Sequence, residues 1–439
     1  MNNQRVVELT LLLLAAFITI ATVAVAAVGE DVAIGWDALP YLVGLLALWA
    51  ISHLALRRWA PTSNGLLFPI TALLQGLGFA FMLRIDPDSA SRHFAWSLAA
   101  TCGFLVVLAG LRNLVLLQRA WAYIGIFGFL VLVTPAIVTT NSRQPTGSQV
   151  FDLGPVRVAP QQLGILCLVV FFAAWLTNHR FRNTAEHLGE LERLDGDPSR
   201  FLPLVSGWLT TSVIIIFQFD MSLAFVTFAI FVSMWWVAVG RMVDLTIYLA
   251  AIGGSIAIAL VSITELQDRF AAWIDPWSNS EFGAPITRSM FALAGGGLTG
   301  TGPGGGSADW VPGATDQFAF VPIAEELGFI GGAAVFSSYL LLVGVGLRLA
   351  IAARREFDSI LAIGTTIFLG SQAWAAIAVA VRLLPPTGSS LPFVAFNGSV
   401  LVTCNLALVL LLRISETVPF VSDRTQVLPQ VTPQARDGK

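Results

Sequence analysis

Between Thr264 and Glu326 an otherwise apolar chain collects the residue types that could do chemistry. Asp316 stands a few residues ahead of the pair Glu325-Glu326. A carboxylate so placed could take a proton from a hydroxyl or hold a divalent cation against a diphosphate. Equally, Thr315 or Asp316 could cap a short helix over Gln317–Ile323. Arg269 and Arg288 flank Trp273-Ile-Asp-Pro-Trp277. A guanidinium matches phosphate oxygens, so the two could receive a lipid-linked diphosphate. Alternatively they pair with Asp268, Asp275 and Glu281, with Trp273 and Trp277 as interface anchors. Gly295–Gly306 holds eight glycines in twelve residues but lacks the Gly-Lys-Ser/Thr of a phosphate-binding loop. It serves either close backbone approach or a hinge. Asp220, between two apolar runs, is either a functional buried carboxylate or part of a short turn.

The elements that must position these groups are membrane spans. The chain is 56% hydrophobic and only 12% charged, against about 25% charged in soluble domains. Apolar runs long enough for a bilayer core predict an all-α polytopic membrane protein, because open sheets cannot live in lipid. Twelve spans are expected, near 9–28, 39–56, 65–83, 94–111, 121–139, 160–177, 204–219, 222–239, 245–263, 325–347, 360–381 and 393–412. The first reads as a retained span rather than a signal peptide.

Seventeen of the 24 Lys and Arg fall on one set of connections. The other set holds only Arg84, Arg92, Arg143, Arg157, Arg269, Arg288 and Arg382. The bias predicts both termini inside and the long 264–324 loop, between spans nine and ten, outside. Two further outer segments, 140–160 and 384–393, are rich in proline and glycine, which suits backbone at an interface or a wet cavity. The acidic 178–203 segment reads as a solvated connection. Residues 1–416 form the transmembrane domain, and 417–439 is expected to be a disordered cytoplasmic tail. Cys102, Cys167 and Cys404 fall inside spans and read as packing residues. The four histidines show no metal-ligand spacing, and nothing points to nucleic acid.

Taken in order, Trp273-Ile-Asp-Pro, Ala292-Leu-Ala-Gly-Gly-Gly-Leu-Thr-Gly-Thr-Gly302, Thr315-Asp316, Glu325-Glu-Leu-Gly-Phe-Ile-Gly331 and Pro385-Pro-Thr-Gly-Ser-Ser-Leu-Pro-Phe393 resemble the SEDS family of cell-wall proteins, the RodA, FtsW and SpoVE type. The likeness is to RodA-like members with two additional N-terminal spans. The resemblance implies a peptidoglycan glycosyltransferase of the bacterial cytoplasmic membrane. Such an enzyme polymerises lipid II during elongation or division, releases a polyprenyl diphosphate, and works with a class B penicillin-binding transpeptidase amid membrane lipid. It places the essential carboxylate at Asp316. Arg269, Arg288, Glu325 and Thr387 become substrate-binding candidates, and a divalent cation is the candidate cofactor.

The chain departs from the family pattern at the same sites. Asp316 precedes Glu325 by nine residues rather than eight, and Gln317 falls where the family aspartate would. Pro-x-Glu-Phe-x-Lys becomes Pro160-Gln-Gln-Leu-Gly-Ile165, Tyr-Gln-x-x-Gln-Ser becomes Ala284-Pro-Ile-Thr-Arg-Ser289, and Ser-Tyr-Gly-Gly-Ser becomes Ala395-Phe-Asn-Gly-Ser399. The alternative is therefore a catalytically weakened paralogue, a membrane scaffold for lipid II or a transpeptidase.

Overall fold

The computed structural model describes residues 3–28, 38–138, 151–153, 156–178, 220–240, 242–278, 281–307 and 310–418. The chain opens with helices α1 (Asn3–Val28), α2 (Leu39–Trp59), α3 (Leu67–Ile85) and α4 (Ala90–Gly110). The short α5 (Val115–Arg119) leads into α6 (Trp121–Val138) and, past a small hairpin, α7 (Gln161–Asn178). The hairpin pairs β1 (Phe151–Leu153) with β2 (Val156–Val158) in antiparallel register, Phe151 opposite Val158. It is a small addition to the all-helical expectation. Helices α8 (Met221–Val239) and α9 (Met242–Ser262) follow. Beyond them lie α10 (Thr264–Ile274), α11 (Gly283–Gly296) and α12 (Phe320–Glu326), then α13 (Gly328–Ala352), α14 (Glu356–Ala380) and α15 (Gly398–Thr417).

Nine of the described helices are long and apolar enough to cross a membrane, ten if the bent pair of α9 and α10 counts as one span. α14, with 25 residues, is roughly 37 Å long at 1.5 Å per residue, more than the ~30 Å hydrocarbon core. The expected span 204–219 and the 178–203 connection lie almost wholly outside the described residues, as do most of 140–160 and the tail beyond Val418.

α14 and α15 form the centre of the bundle, with most of their side chains buried. α1 packs on α3, and α2 and α15 pack on α4. Inside the bundle Trp49 donates to Gln75 (3.2 Å), which donates to Ser97 (3.4 Å), joining α2, α3 and α4. Buried amides and hydroxyls find partners across helices because lipid offers none.

Two expectations change. The 264–324 segment is not a plain loop: it holds α10, lying at 98° to the preceding helix, and α11. α10 carries polar residues on one side and buries Leu266, Arg269 and Ala272 on the other. The span expected from residue 325 starts instead at Gly328. A left-handed backbone there (φ 68°) breaks the chain between α12 and α13, so Glu325 and Glu326 end a separate short helix ahead of the span.

Candidate functional site

At one end of the bundle the ends of α3, α7, α8, α13, α14 and α15 meet the 264–327 and 381–397 segments. Trp273 donates to the Arg382 carbonyl (3.1 Å), and Arg382 returns a bond to the Trp273 carbonyl (3.0 Å). The Phe396 N–H donates to the Thr315 carbonyl (2.7 Å). Ala159 N–H donates to Ser399 Oγ (2.8 Å).

Asp316 sits in a run of turns from Pro312 to Ala319, ahead of α12. Its N–H is taken by the Gly313 carbonyl (3.0 Å). The side chain caps no helix: Ala319 stands at the N-cap of α12, and that cap has no side-chain bond. Instead the Ser390 hydroxyl donates to Asp316 Oδ1, and Asn397 Nδ2 donates to Ser390 Oγ (3.3 Å). Removal from water on burial raises the Asp316 carboxyl above the usual carboxylate range, and the bonds from Ser390 and Asn397 pull it partly back. Gln317, at the position the family spacing favours, is buried. The turn is not helical, and within it Asp316 reaches Ser390.

Arg269 is 1% exposed and committed to protein. It pairs with Glu265 (2.7 Å), donates to the Pro386 carbonyl (3.4 Å) and lies over the Phe282 ring at 5.6 Å. Thr387, next in the chain, is buried. Its carbonyl accepts from Ser222 N–H (3.3 Å), and its hydroxyl has no partner among the described residues. Asp220 caps α8 by accepting from Leu223 N–H (2.8 Å). Burial pushes it up to about 6, against the Leu223 and Ser222 N–H bonds and the Arg269 charge. The short-turn reading of Asp220 is thus a helix cap in a charged, buried setting. Arg288 is exposed on α11 and donates to the Trp310 carbonyl (2.8 Å). No described contact joins it to Arg269.

The glycine run brings backbone close around the acidic pair. Thr301 and Gly302 N–H donate to the carbonyls of Glu325 (3.1 Å) and Glu326 (3.0 Å). Ser307 N–H donates to Glu325 Oε1 and Gly304 N–H to Glu326 Oε2, both at 2.8 Å. Gly300 has φ 84°, and a Cβ there would collide with the Glu326 carbonyl, so only glycine fits. Arg84, from the end of α3, is buried, pairs with Glu326 and donates to the Gly306 carbonyl. Glu325 is 4% exposed, and its Oε2 lacks a partner among the described residues.

Three residues escaped sequence reasoning. Arg84 counted only as an outer charge, although two adjacent buried carboxylates demand a cation. Asn397, just before the apolar α15, carries an N-cap signature. Ser390 gave no signal. Among the described residues no group of three or more His, Cys, Asp or Glu could hold a metal ion. A cation at Asp316 would draw most ligands from substrate phosphates and water. Beside α12 an apolar cavity of about 470 Å³, lined by Leu293, Phe320, Ala324, Phe329 and Trp374, opens between α11, α13 and α14.

Residues 65–418 match the FTSW_RODA_SPOVE family, described as cell cycle proteins; α1 and α2 precede the match. The chain is 30% identical over 427 residues to the peptidoglycan glycosyltransferase RodA of Mycobacterium tuberculosis, covering 94% of this chain and 91% of that one. It is 30% identical over 328 residues to a probable peptidoglycan glycosyltransferase FtsW of a Geobacter species, covering 73% and 85%. The fold superposes on a protein of a peptidoglycan synthase complex with a TM-score of 0.60 at 22% identity, covering 81% of this chain and 98% of that one. It superposes on Thermus thermophilus RodA with a TM-score of 0.53 at 23% identity, covering 80% and 96%.

Proposed function

The chain belongs to the FtsW, RodA and SpoVE family, and from that premise we propose that it is a peptidoglycan glycosyltransferase that polymerises lipid II in the bacterial cytoplasmic membrane. The observation that carries the mechanism is the Asp316 carboxylate. It accepts from Ser390, two residues beyond Pro385-Pro-Thr-Gly388, where the 312–319 turn meets the 389–397 segment. Asp316 takes the proton of the acceptor sugar hydroxyl as its oxygen bonds to the donor's anomeric carbon. The bond from that carbon to phosphate breaks, and polyprenyl diphosphate leaves with the electron pair. A carboxylate raised by desolvation is a stronger base than a solvated one, which suits this step.

Around that centre, the exposed Arg288 guanidinium meets the donor diphosphate, while Arg269 holds the Pro386–Thr387 backbone. Thr387 and Glu325 face the bound sugars, and the apolar cavity beside α12 receives part of the lipid chain. Both termini lie inside, so the site faces outward, where sugar units are joined. A class B penicillin-binding transpeptidase crosslinks the product, in elongation or division.

A register test separates this reading from that of a scaffold. In lipid II polymerisation by purified protein with its transpeptidase, Gln317→Ala should retain activity and Asp316→Asn should lose it. The reverse order would move the working position to Gln317, and glycan chains absent from wild type would favour the scaffold.

A further inference from the structure

We propose that Ser390 and Asn397 are positioning residues that orient the Asp316 carboxylate and set the pH range in which it works; this rests on the Asp316 reading above. The direction of the relay follows from helix α15. Asn397 is its N-cap, and its Oδ1 accepts from Val400 N–H (3.4 Å). With the oxygen so engaged, the amide presents Nδ2 to Ser390 Oγ, 3.3 Å away. A serine hydroxyl has one proton. Having accepted from Asn397, it gives that proton to Asp316 Oδ1. The relay also links the carboxylate to the N-terminus of a 20-residue helix, where the aligned peptide dipoles favour negative charge.

The geometry is anchored on both sides. Phe396, beside Asn397, bonds to the Thr315 carbonyl, beside Asp316, at 2.7 Å, so two neighbouring pairs cross-link the same strands of chain. Phe393 adopts φ 65°, a conformation unfavourable for a bulky residue and persisting only where its surroundings demand it. Pro392, just ahead, accepts from the Tyr339 hydroxyl. The segment from Ser390 to Asn397 is therefore held rigidly under Asp316. The relay coincides with this chain's departures. Asn397 stands where the resembling pattern has glycine, and Asp316 stands one residue early. A glycine could not supply the amide, so the shifted carboxylate and its support occur together.

The test is the pH profile of lipid II polymerisation for wild type, Ser390→Ala, Ser390→Thr and Asn397→Asp. Removing a donor to the charged carboxylate raises its pKa. The acidic limb of Ser390→Ala should therefore move to higher pH by about one unit, a tenfold loss at fixed pH on the limb. Asn397→Asp keeps the cap acceptor, removes the amide donor and adds like charge, so its limb should move the same way. Ser390→Thr keeps the hydroxyl and should restore the wild-type limb. If Ser390→Ala does not fold, Asn397→Asp and Ser390→Thr carry the comparison. An unmoved limb in the variants that fold, with rates merely lower, overturns the relay; if Asp316→Asn is inactive in the same assay, the Asp316 reading stands without it. An active Asp316→Asn overturns both.

Discussion

At the scale of residues, the proposed mechanism turns on a carboxylate kept basic by its surroundings. Burial away from water raises Asp316, and the Ser390 and Asn397 bonds temper the rise. The sign for activity follows directly: a base must be ionised, so polymerisation should fall on acidification through a pH above the ordinary carboxylate range. For stability the sign is opposite. A folded-state value above the unfolded one means the native protein binds more protons there. Protonating Asp316 stabilises the fold, and that gain is lost as pH rises through the folded value. Melting temperature and rate measured across the same acidic range should move in opposite directions, and a parallel loss of both would assign the pH effect to unfolding. Asp316 was marked in the sequence by the family resemblance. Its partners were not, since no pattern in sequence announces that Ser390 lies opposite a turn 74 residues away.

At the scale of elements, several span starts were legible from apolar length: α2 starts at Leu39 and α7 begins one residue after its expected start, whereas α15 begins at Gly398 rather than 393. The segment between α9 and α13 was not. Its helices are short or amphipathic, and its shape is set by contacts distant in sequence: glycines 296–306 around Glu325 and Glu326, with Arg84 from α3. That wrapping predicts a contrast between two glycines. Gly300→Ala places a Cβ against the Glu326 carbonyl at φ 84° and should cost more than ~1 kcal/mol. Gly295→Ala, in α11 with nothing within 4 Å of its added Cβ, should be neutral or stabilising by up to ~1 kcal/mol. Thermal unfolding in lipid nanodiscs reads both. Equal melting temperatures would mean that the glycine run does not clamp the acidic pair.

At the scale of the molecule, two polar assemblies occupy opposite ends of one helical bundle. Away from the site, Arg5 donates to Ser63 Oγ (2.5 Å), His53 meets Glu8 (2.8 Å), and Arg413 donates to the Trp59 carbonyl (2.8 Å). These contacts tie α1, α2 and α15 together where the arginines are densest. In the proposed topology the charge bias places that end inside and the end that carries Asp316 outside. Ser307 is exposed at the Asp316 end, so Ser307→Cys in intact cells should react with a membrane-impermeant thiol reagent. Protection until the membrane is opened would reverse the orientation.

The central claim is that Asp316 performs the proton transfer. Purified wild type and Asp316→Asn, each with the partner transpeptidase, are compared at neutral pH for glycan chains formed from lipid II, with melting temperature as the control for folding. General-base assistance is worth about 10²–10⁴-fold, so Asp316→Asn should lose at least ~10²-fold in rate while melting no lower than wild type. A well-folded Asp316→Asn that polymerises lipid II at a rate near wild type would contradict the account.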